Sequence, residues 1–519
     1  MAFWGLFRWD LTEDKRYSLN DASKELVASL DAPVDVTIYL DGEMNTGFKR
    51  LKRATEELTD ELDVYGDTRR HSGDSKDLEK YGLSPTIVHE RAKDGHTAQT
   101  AVWPYATVSY KGRTAIVTLL RSTRGQSGEE NLNQSIENLE YAFAEAIHSL
   151  QQTEPQRIAF LEGHNELPEE AVYDLSRSLA RYFQVDRGVL GDDPSVLDPY
   201  KVVIIADPQK PFSEKDKYIL DQYIQHGGRV LWCLNGVQFS KDALNKDGFT
   251  PVLPLDLNIS DMMFRYGVRV NPSLLQDVQC LPIPVNVSSD PEQPNYQPLP
   301  WYYAPLLLTS QMSPITRNIG QVSCTFASHI DAVGGEDGIT KEILLATSTA
   351  SRFIATPAEV DLADLNPDLA TFQYSYIPVA VRLEGVFPSA FAHRMAPEGI
   401  VETRESVSEN SKPSKQIVVA SGSVIRNEWQ DGEPLPVGYD RYSAMTFGNR
   451  DFLTNAVLYL ADDEGLINLR QKSIALRLIN TKRAYDHKPF IQTVSIGAPI
   501  LLLALTGGIV FGVRRKKYS

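Results

Sequence analysis

The sequence predicts an α/β protein with a doubly wound parallel sheet and a membrane-spanning helix near its carboxyl end. The sheet is predicted because apolar strands alternate with amphipathic helices after Pro155. The span is predicted by residues 490–513, which carry no charge and are followed at once by four basic residues. A further set of strands and helices before Pro155 predicts a separate, smaller α/β domain.

Residues 1–153 contain the elements of that smaller domain. Residues 34–40 form a β-rich run, and the helix after it carries apolar side chains on one face. The polar residues 67–80 predict a loop, and Lys111-Gly112-Arg113 lies between two β-rich runs, as in a hairpin. Apolar spacing predicts a helix over 129–150. The order of elements is similar to that of thioredoxin-like domains, although no CxxC motif is present.

Residues 154–480 are predicted to form the larger domain. The run 202–206 is apolar throughout, which is typical of strands buried in a parallel sheet, and the runs 157–161 and 229–234, each apolar after an initial arginine, are predicted to be its neighbouring strands. The same pattern returns at 416–420, before an apolar helix that ends near Leu460. Residues from about 240 to 415 are therefore expected to be an insertion, with a separate third domain as the alternative. Within them, the stretch 281–314 is dense in proline and aromatic residues and predicts an irregular excursion.

Composition excludes one class of protein and leaves one cysteine question open. The 519 residues carry a net charge of −16 and no long basic stripe before the carboxyl end, so a nucleic-acid partner is not expected. Cys233 lies in an apolar strand and is expected to be a buried thiol. A Cys280–Cys324 disulfide stays open if the compartment is oxidising.

The uncharged run also predicts an orientation in the membrane. As a helix, residues 490–513 are long enough to cross a bilayer core of about 30 Å. The basic residues of the stub 514–519 place it in the cytoplasm and the preceding chain on the other side: Arg514, Arg515, Lys516 and Lys517. A buried core helix is the alternative. Gly508 and Gly512 form a GxxxG pair, which would let a partner helix approach closely.

Polar residues at the ends of the central strands are the candidates for a ligand pocket. Glu162, His164 and Glu166 follow the first strand, and Asp207 and Asn235 follow the next two. The carboxyl ends of parallel strands share one edge, where α/β proteins bind ligands. The alternative is a purely structural role, in which these side chains cap helices and stabilise turns. With no second cluster of His or Cys, neither a metal nor another cofactor is expected.

Four passages together resemble one known family. They are residues 8–19 (RWDLTEDKRYSL), 162–166 (EGHNE), 448–452 (GNRDF) and the span 490–513. They look like GldG, the membrane-anchored auxiliary component of the gliding-motility ABC transporter of Bacteroidota. The resemblance implies an inner-membrane protein with a large periplasmic part. It would work beside a permease subunit and a cytoplasmic ATPase, in a system tied to gliding and cell-surface protein secretion.

The chain departs from this family at its start. Family members usually carry a membrane helix just before the DLTEDKRYSL segment, whereas here only nine residues precede Asp10. We expect either that a first helix is missing from this sequence or that this member has lost it. No Walker A motif occurs, so the chain is not expected to supply the ATPase itself.

The central α/β unit further resembles a domain of an intraflagellar-transport subunit and, more distantly, the Rossmann-like class I glutamine amidotransferases. That likeness makes Cys233 worth weighing as a nucleophile. A nucleophile elbow needs small neighbours, but Trp232 and Leu234 flank this cysteine, so no catalytic residue is predicted.

The leading hypothesis is a non-enzymatic, membrane-anchored subunit that binds a permease and contacts cargo or the envelope machinery for motility and secretion. The alternatives are a tethered solute-binding protein and, less favoured, an envelope amidotransferase or hydrolase.

Overall fold

The computed structural model describes residues 18–463, 465, 507 and 508, with gaps at 42–43, 74–77, 79–82, 84, 92–96, 121–127, 152–154, 287, 289–292, 294, 334–337, 363–366 and 402–410. The chain divides into two compact units, Met1–Lys472 and Ser473–Ser519. In the second unit only Gly507 and Gly508 are described, and both are helical and exposed.

The first part of the chain forms a four-stranded sheet in the order β2-β1-β5-β6 and a separate β3-β4 hairpin. Strand β1 pairs parallel with β2 and antiparallel with β5. Within the described residues, three helices with defined bounds accompany the sheet. In chain order the elements are α1 (Asp21–Ala28), β1 (Val34–Ile38), α2 (Thr46–Tyr65), β2 (Thr68–Ser72), β3 (Thr86–Arg91), β4 (Thr97–Val102), β5 (Tyr105–Tyr110), β6 (Arg113–Thr118) and α3 (Gly128–Gln151).

This part confirms the predicted hairpin and corrects one predicted loop. Lys111 and Gly112 both have positive φ, 49° and 78°, as a two-residue hairpin turn requires. Residues 67–80 were expected to be a loop because they are polar, yet 68–72 form strand β2. This edge strand buries only Thr68, so it is held by backbone pairing with β1, which a hydrophobicity pattern does not reveal.

The remaining described α-helices and strands belong to the larger α/β part. In chain order they are β7 (Arg157–Glu162), α4 (Tyr173–Leu179), β8 (Gln184–Val189), β9 (Val202–Ala206), α5 (Glu214–Gln225), β10 (Arg229–Cys233), β11 (Val237–Gln238), α6 (Lys241–Asp247), β12 (Phe249–Pro254), α7 (Ser260–Tyr266), β13 (Arg269–Val270), β14 (Ser273–Asp277), β15 (Cys280–Asn286), β16 (Tyr296–Thr309), β17 (Val322–Ser323), β18 (Ile330–Asp331), β19 (Thr340–Ala346), β20 (Ser351–Ala355), β21 (Ala358–Asp361), β22 (Pro378–Gly385), β23 (Ser414–Val419), β24 (Trp429–Gln430), β25 (Glu433–Pro434), β26 (Tyr439–Asp440), β27 (Met445–Thr446) and α8 (Asn449–Ala461).

The four predicted parallel strands, β7, β9, β10 and β23, are confirmed. With β8, for which no strand was predicted, they lie in the order β8-β7-β9-β10-β23. Their two faces belong to different cores. One core contains apolar residues of α4 and α8, and the other contains those of α5, so β7, β9, β10 and β23 are covered on both sides. The edge strand β8 is half-buried or exposed along its length. Helix α5 begins where predicted, because Ser213 and Asp216 form a reciprocal capping box.

Residues 240–415 extend this same sheet, which makes it mixed rather than purely parallel. Strand β22 pairs antiparallel with β23, and β19, β16 and β15 follow outward in turn. The irregular excursion expected at 281–314 is wrong, since β15 and β16 form a long hairpin there. Its prolines stand directly opposite one another, Pro282 against Pro300 and Pro284 against Pro298, where the hairpin needs no N–H donor.

The turn into α8 explains part of the GNRDF passage. A Cβ at Gly448 would lie 2.5 Å from the Ile319 side chain and 2.7 Å from the carbonyl oxygen of Gly320. The buried Asn449 side chain accepts from the N–H of Ser323 and donates to the carbonyls of Ser323 and Val424 at 2.8–3.1 Å. These residues therefore join α8 both to the nearby turn at Val424 and to residues 319–323, more than a hundred positions earlier in the chain.

Three basic side chains hold the end of α8 at the amino edge of the sheet. Arg229 donates to the carbonyl of Leu460 at 2.7 Å, and Lys415 donates to that of Asp462 at 2.9 Å. The carboxylate of Asp463 binds both Arg229 and Lys201. Positive charge at a helix carboxyl end is favourable, because the last carbonyl groups are otherwise unpaired. We call Lys201, Arg229 and Lys415 the basic clamp.

All three cysteines are free thiols. Cys233 is fully buried, as predicted. Cys280 lies opposite Pro305 on one edge of β16, and the N–H of Cys324 donates to the carbonyl of Pro305 on the other edge. With one strand between them, the two Cα atoms are separated by about two strand spacings, roughly 10 Å, which is too far for a disulfide.

Across the described ranges, no helix is both long and apolar enough to cross a bilayer. The predicted span 490–513 and the stub 514–519 lie outside the described residues, except for Gly507 and Gly508.

Candidate functional site

Glu162 ends β7, and the other four candidates lie in the turns that follow β7, β9 and β10 at the carboxyl edge of the sheet. Strand β8 lies on one side of β7 and β9 lies on the other. The connection from β7 to β8 therefore runs one way across the sheet and the connection from β8 to β9 runs back. Ligands of doubly wound proteins bind at such a reversal. The turns here use uncommon backbone geometry, with positive φ at Gly163, Asn165 and Asp207.

Glu162 contributes to the sheet edge rather than to a pocket. Arg187 on the neighbouring β8 donates from Nε to Oε1 of Glu162 at 2.8 Å and from Nη2 to the carbonyl of Leu167 at 2.9 Å. Arg187 therefore fastens both ends of the turn that follows β7.

His164 is held between two carboxylates. Its Nδ1 lies 3.0 Å from Oε1 of Glu166 and its Nε2 lies 3.3 Å from Oδ2 of Asp216, at the start of α5. Glu166 also accepts from the backbone N–H of His164 at 2.7 Å. The ring stacks on Phe212 with a centroid distance of 3.7 Å. His164 thus ties the turn after β7 to the first turn of α5.

The charges of this group are coupled. Burial by itself lowers the pKa of His164, but the hydrogen bonds and negative charges of Asp216 and Glu166 raise it to about 9. For Asp216 burial acts in the other direction and raises the pKa, but the hydrogen bonds from His164 and Ser213 outweigh it and bring the pKa below its ordinary value. His164 is therefore an imidazolium at neutral pH, with both ring nitrogens donating.

Asp207 forms a second buried network with Asn235. Its Oδ1 accepts from Nδ2 of Asn235 at 2.6 Å and from Nε2 of Gln209 at 2.8 Å. Asn235 in turn accepts from the N–H of Gly422 at 2.8 Å, in the turn after β23. A Cβ at Gly422 would lie only 2.1 Å from Oδ1 of Asp207, so glycine is required for this carboxylate to pack.

Burial raises the pKa of Asp207 to about 6, although the positive charges of Arg426 and Lys241 act in the opposite direction. Arg426 is the nearer cation, with Nη2 at 4.0 Å from Oδ2 of Asp207. Asp207 consequently changes its charge in mildly acidic solution.

Backbone hydrogen bonds join the two turns that would border a ligand at the reversal. The carbonyl of His164 accepts from the N–H groups of Gln209 and Lys210 at 2.9 and 3.0 Å, and Leu167 donates to the carbonyl of Ala206 at 2.9 Å. The five candidates therefore fall into three neighbouring groups: the Glu162 pair, the His164–Glu166 cluster and the Asp207–Asn235 network. Each group joins protein segments to one another.

The thiol of Cys233 at this edge is shielded from solvent. Cys233 is fully buried, and burial raises the pKa of its thiol well above the ordinary value, with the charge of Asp207 adding to the effect. Among the residues that the structure describes, no group of His, Cys, Asp and Glu is arranged to hold a metal ion. A cavity of about 680 Å³ lies elsewhere, beside the first turns of α2 and α3.

Sequence reasoning missed several partners of the candidates. Asp216 could have been found, because Ser213 three residues before it marks a capping box. Gln209, Gly422 and Arg426 carry no comparable local signal. The last two lie more than two hundred positions after Asp207, and only the sheet order brings them together.

These observations define a mixed α/β protein whose candidate polar residues serve its own architecture. Residues 155–456 match the family described as an ABC-type uncharacterized transport system, over more than half of the chain. The chain belongs to this family of auxiliary proteins of ABC transport systems. Membership supports a non-catalytic, transport-associated subunit that works with a transporter complex. Residues 13–109 match a domain of unknown function.

No curated protein matches the chain. Three solved structures are distantly similar to this chain. The mmIFT52 N-terminal domain is 14% identical with a TM-score of 0.34, over 59% of this chain and 98% of that one. An exo-beta-1,4-mannosidase from Opitutaceae bacterium strain TAV5 is 10% identical with a TM-score of 0.21, over 56% and 35%. Human ERp44 is 14% identical with a TM-score of 0.14, over 33% and 45%.

Proposed function

We propose that this protein is a non-enzymatic subunit of an ABC transporter complex, anchored in the inner membrane by residues 490–513. Most of the chain lies in the periplasm, and the basic stub 514–519 lies in the cytoplasm. The family match over residues 155–456 carries this proposal. The uncharged run and the four basic residues after it support the anchor and its orientation.

The proposed partners follow from the resemblance to the GldG family. The subunit binds a permease, and through it a cytoplasmic ATPase, while its α/β part contacts cargo or envelope components. The passages EGHNE and GNRDF, which resemble GldG, support a role in gliding motility and the associated protein secretion.

The geometry of the carboxyl edge supports a scaffold rather than a solute-binding or catalytic part. The side chains of His164 and Asp207 form hydrogen bonds with other segments of the chain. The turns between them are joined by backbone bonds at the position where an α/β protein would hold a ligand. A catalytic or transport ligand would have to displace these contacts.

The test is a pull-down of the tagged full-length protein from native membranes in mild detergent, with quantitative mass spectrometry. We expect a permease and its ATPase in a fixed ratio to the bait. A matched bait that ends before Phe490 should lose the permease if the span makes the contact. Recovery of neither transporter protein with the full-length bait contradicts the proposal.

A further inference from the structure

Two basic side chains lie beside the buried carboxylate of Asp207 at the carboxyl edge of the sheet. Arg426 follows the short 3₁₀ turn at 422–425, after β23, and Lys241 is the first residue of α6, after β10 and β11. The positive charges of both act on Asp207, and that of Arg426 also acts on Lys241. Cations from two separate segments therefore share one small region of this edge.

The guanidinium of Arg426 has its donors available. Its Nη2 lies 4.0 Å from Oδ2 of Asp207, which is longer than a hydrogen bond. Within the described ranges, no other side chain or carbonyl accepts from this guanidinium, and the side chain is 39% exposed. A planar set of N–H groups that solvent can reach is suited to bind two oxygens of an anion at once.

The ammonium of Lys241 is in a similar position. Among the residues that the structure describes, it forms no hydrogen bond and no close ion pair. The pKa of Lys241 is lowered, first by burial and then by the positive charge of Arg426. Glu428 acts in the opposite direction, but its carboxylate already binds Arg441. An anion between Lys241 and Arg426 would relieve the repulsion between these two cations.

Asp207 is held back from serving as that anion. Its Oδ1 accepts from Asn235 and Gln209, which fixes the carboxylate inside the buried network. A Cβ at Gly422 would already overlap it, so the carboxylate is also enclosed on that side. The distance of 4.0 Å to Arg426 is therefore set by the packing of the network and not by the attraction between the two charges.

The charge balance of this region is opposite to that of the whole chain. Three cations, Arg426, Lys241 and Arg441, stand against two acids, Asp207 and Glu428, so the excess is +1 when Asp207 is ionised and +2 when it is protonated. The chain as a whole carries −16. A local positive excess at the strand ends of an α/β sheet favours an anionic ligand.

We infer that Arg426 and Lys241 bind a tetrahedral oxyanion, the phosphate group of a ligand, on the outer side of the Asp207 network. A phosphate offers oxygens to both cations, whereas a carboxylate has only two, and the guanidinium fork would take both. The bonds of Asp207 with Asn235 and Gln209 stay in place, so the site adds a ligand to an edge that is otherwise architectural. Such a site goes beyond the proposed function and requires neither the transporter complex nor the membrane span.

Binding of the oxyanion should weaken as the pH rises. Burial raises the pKa of Asp207 to about 6, so its carboxylate is mostly neutral at pH 5.5 and repels the ligand at pH 7.5. Neighbouring groups keep their charge over this range. His164 has its pKa raised to about 9 and stays an imidazolium, and Cys233 stays a neutral thiol because burial raises its pKa well above the ordinary value.

The experiment is calorimetric titration of the purified full-length protein in detergent, at constant ionic strength, with sodium sulfate as the probe. Sulfate has the shape of phosphate and stays doubly charged at both pH values, so any pH dependence comes from the protein. We expect one sulfate per chain and an affinity about tenfold higher at pH 5.5 than at pH 7.5. Inorganic phosphate should compete with sulfate for the same site.

Three variants assign the effect to these residues. Arg426→Gln should weaken sulfate binding by about tenfold or more, because it removes the charged fork. The control Arg53→Gln changes an arginine on α2 that is 80% exposed and should leave the affinity within about twofold. Asp207→Asn keeps an acceptor for Asn235 and should bind sulfate at pH 7.5 about as tightly as wild type does at pH 5.5. A gain of affinity cannot come from misfolding.

Two results overturn the inference. One is wild-type protein that binds neither sulfate nor phosphate at either pH. The other is an affinity that stays unchanged in both Arg426→Gln and Asp207→Asn. Competition by short-chain phosphatidic acid then distinguishes the sources of the phosphate group. Displacement of sulfate at a much lower concentration than inorganic phosphate requires supports a lipid headgroup as the ligand, and displacement at an equal concentration supports a soluble phosphate.

Discussion

Arg450 binds Asp174 through two parallel hydrogen bonds, from Nε to Oδ2 and from Nη2 to Oδ1, each at 2.8 Å. The pair joins the first turn of α8 to the start of α4, two helices that lie on the same face of the sheet. The same carboxylate accepts from the N–H of Val437 at 2.9 Å. The arginine of the GNRDF passage therefore has an architectural partner that is distant in sequence.

Replacing Arg450 with lysine should destabilise the protein by about 1–2 kcal/mol, because an ammonium group cannot donate both bonds in this fixed geometry. The measurement is urea unfolding of the purified full-length protein in detergent, followed by tryptophan fluorescence. Arg441→Lys is the matched control, since its pair with Glu428 is about half exposed and should change the free energy of unfolding little. Equal losses in the two variants would contradict the assigned role of Arg450.

The His164 cluster should make the protein less stable as the solution becomes alkaline. The pKa of His164 is raised to about 9 in the folded state, above its ordinary value of 6.5. The contribution is therefore complete below pH 6.5 and is lost as the pH rises through 9, and it amounts to roughly 3 kcal/mol at most. His164→Gln should remove this decline when unfolding is measured from pH 6 to 10. A decline that persists in the variant would show that other groups cause it.

Asp207 should act in the opposite pH range. Its pKa is raised from 3.8 to about 6, so its stabilising contribution is complete below pH 3.8 and is lost as the pH rises through 6. Asp207→Asn keeps an oxygen that can accept from Asn235 and Gln209, and it removes the buried charge. We expect this variant to unfold at equal or higher urea concentration than wild type at pH 7.5, and a clear loss of stability there would refute the prediction.

Gly422→Ala is expected to destabilise the protein at every pH, because its methyl group would overlap the carboxylate of Asp207.

The membrane anchor leads to a separate test with two variants. A chain that ends before Phe490 should be released from membranes as a soluble, folded fragment if residues 490–513 are the only anchor present. Gly508→Leu with Gly512→Leu should stay in the membrane but recover less permease, since close helix approach needs small residues. Fractionation of membranes and the permease ratio in the pull-down are the two readouts. Unchanged recovery would mean that this helix face does not bind the permease.

Local patterns predicted much of the fold. Each of the strands at 157–162, 202–206, 229–233 and 414–419 contains an apolar run of at least three residues, because both faces of the sheet are covered there. Such a run can be recognised without knowing which strands are neighbours. The helix cap at Ser213 and the hairpin turn at Lys111-Gly112 were also predictable, because a cap and a hairpin turn are determined by residues close in sequence.

What local patterns could not predict depends on distant pairing. Strand β2 has a polar sequence and exists because β1 offers it a backbone ladder. The prolines of 281–314 suggested irregular chain, yet placing them opposite each other leaves the hairpin bonds intact. At the candidate site, the sequence correctly grouped Asp207 and Asn235 at one edge. It could not reveal that Gly422 completes their network or that His164 is bound by Asp216.

The basic clamp has a mechanical consequence. Because Lys201, Arg229 and Lys415 stand at the starts of adjacent strands β9, β10 and β23, a pull on the chain beyond Asp463 reaches all three strands together. Force along those strands is shared by many backbone hydrogen bonds loaded side by side, whereas a lone helix end would unwind one bond at a time. We therefore expect a load applied beyond Asp463 to be distributed over three central strands and not carried by the end of α8 alone.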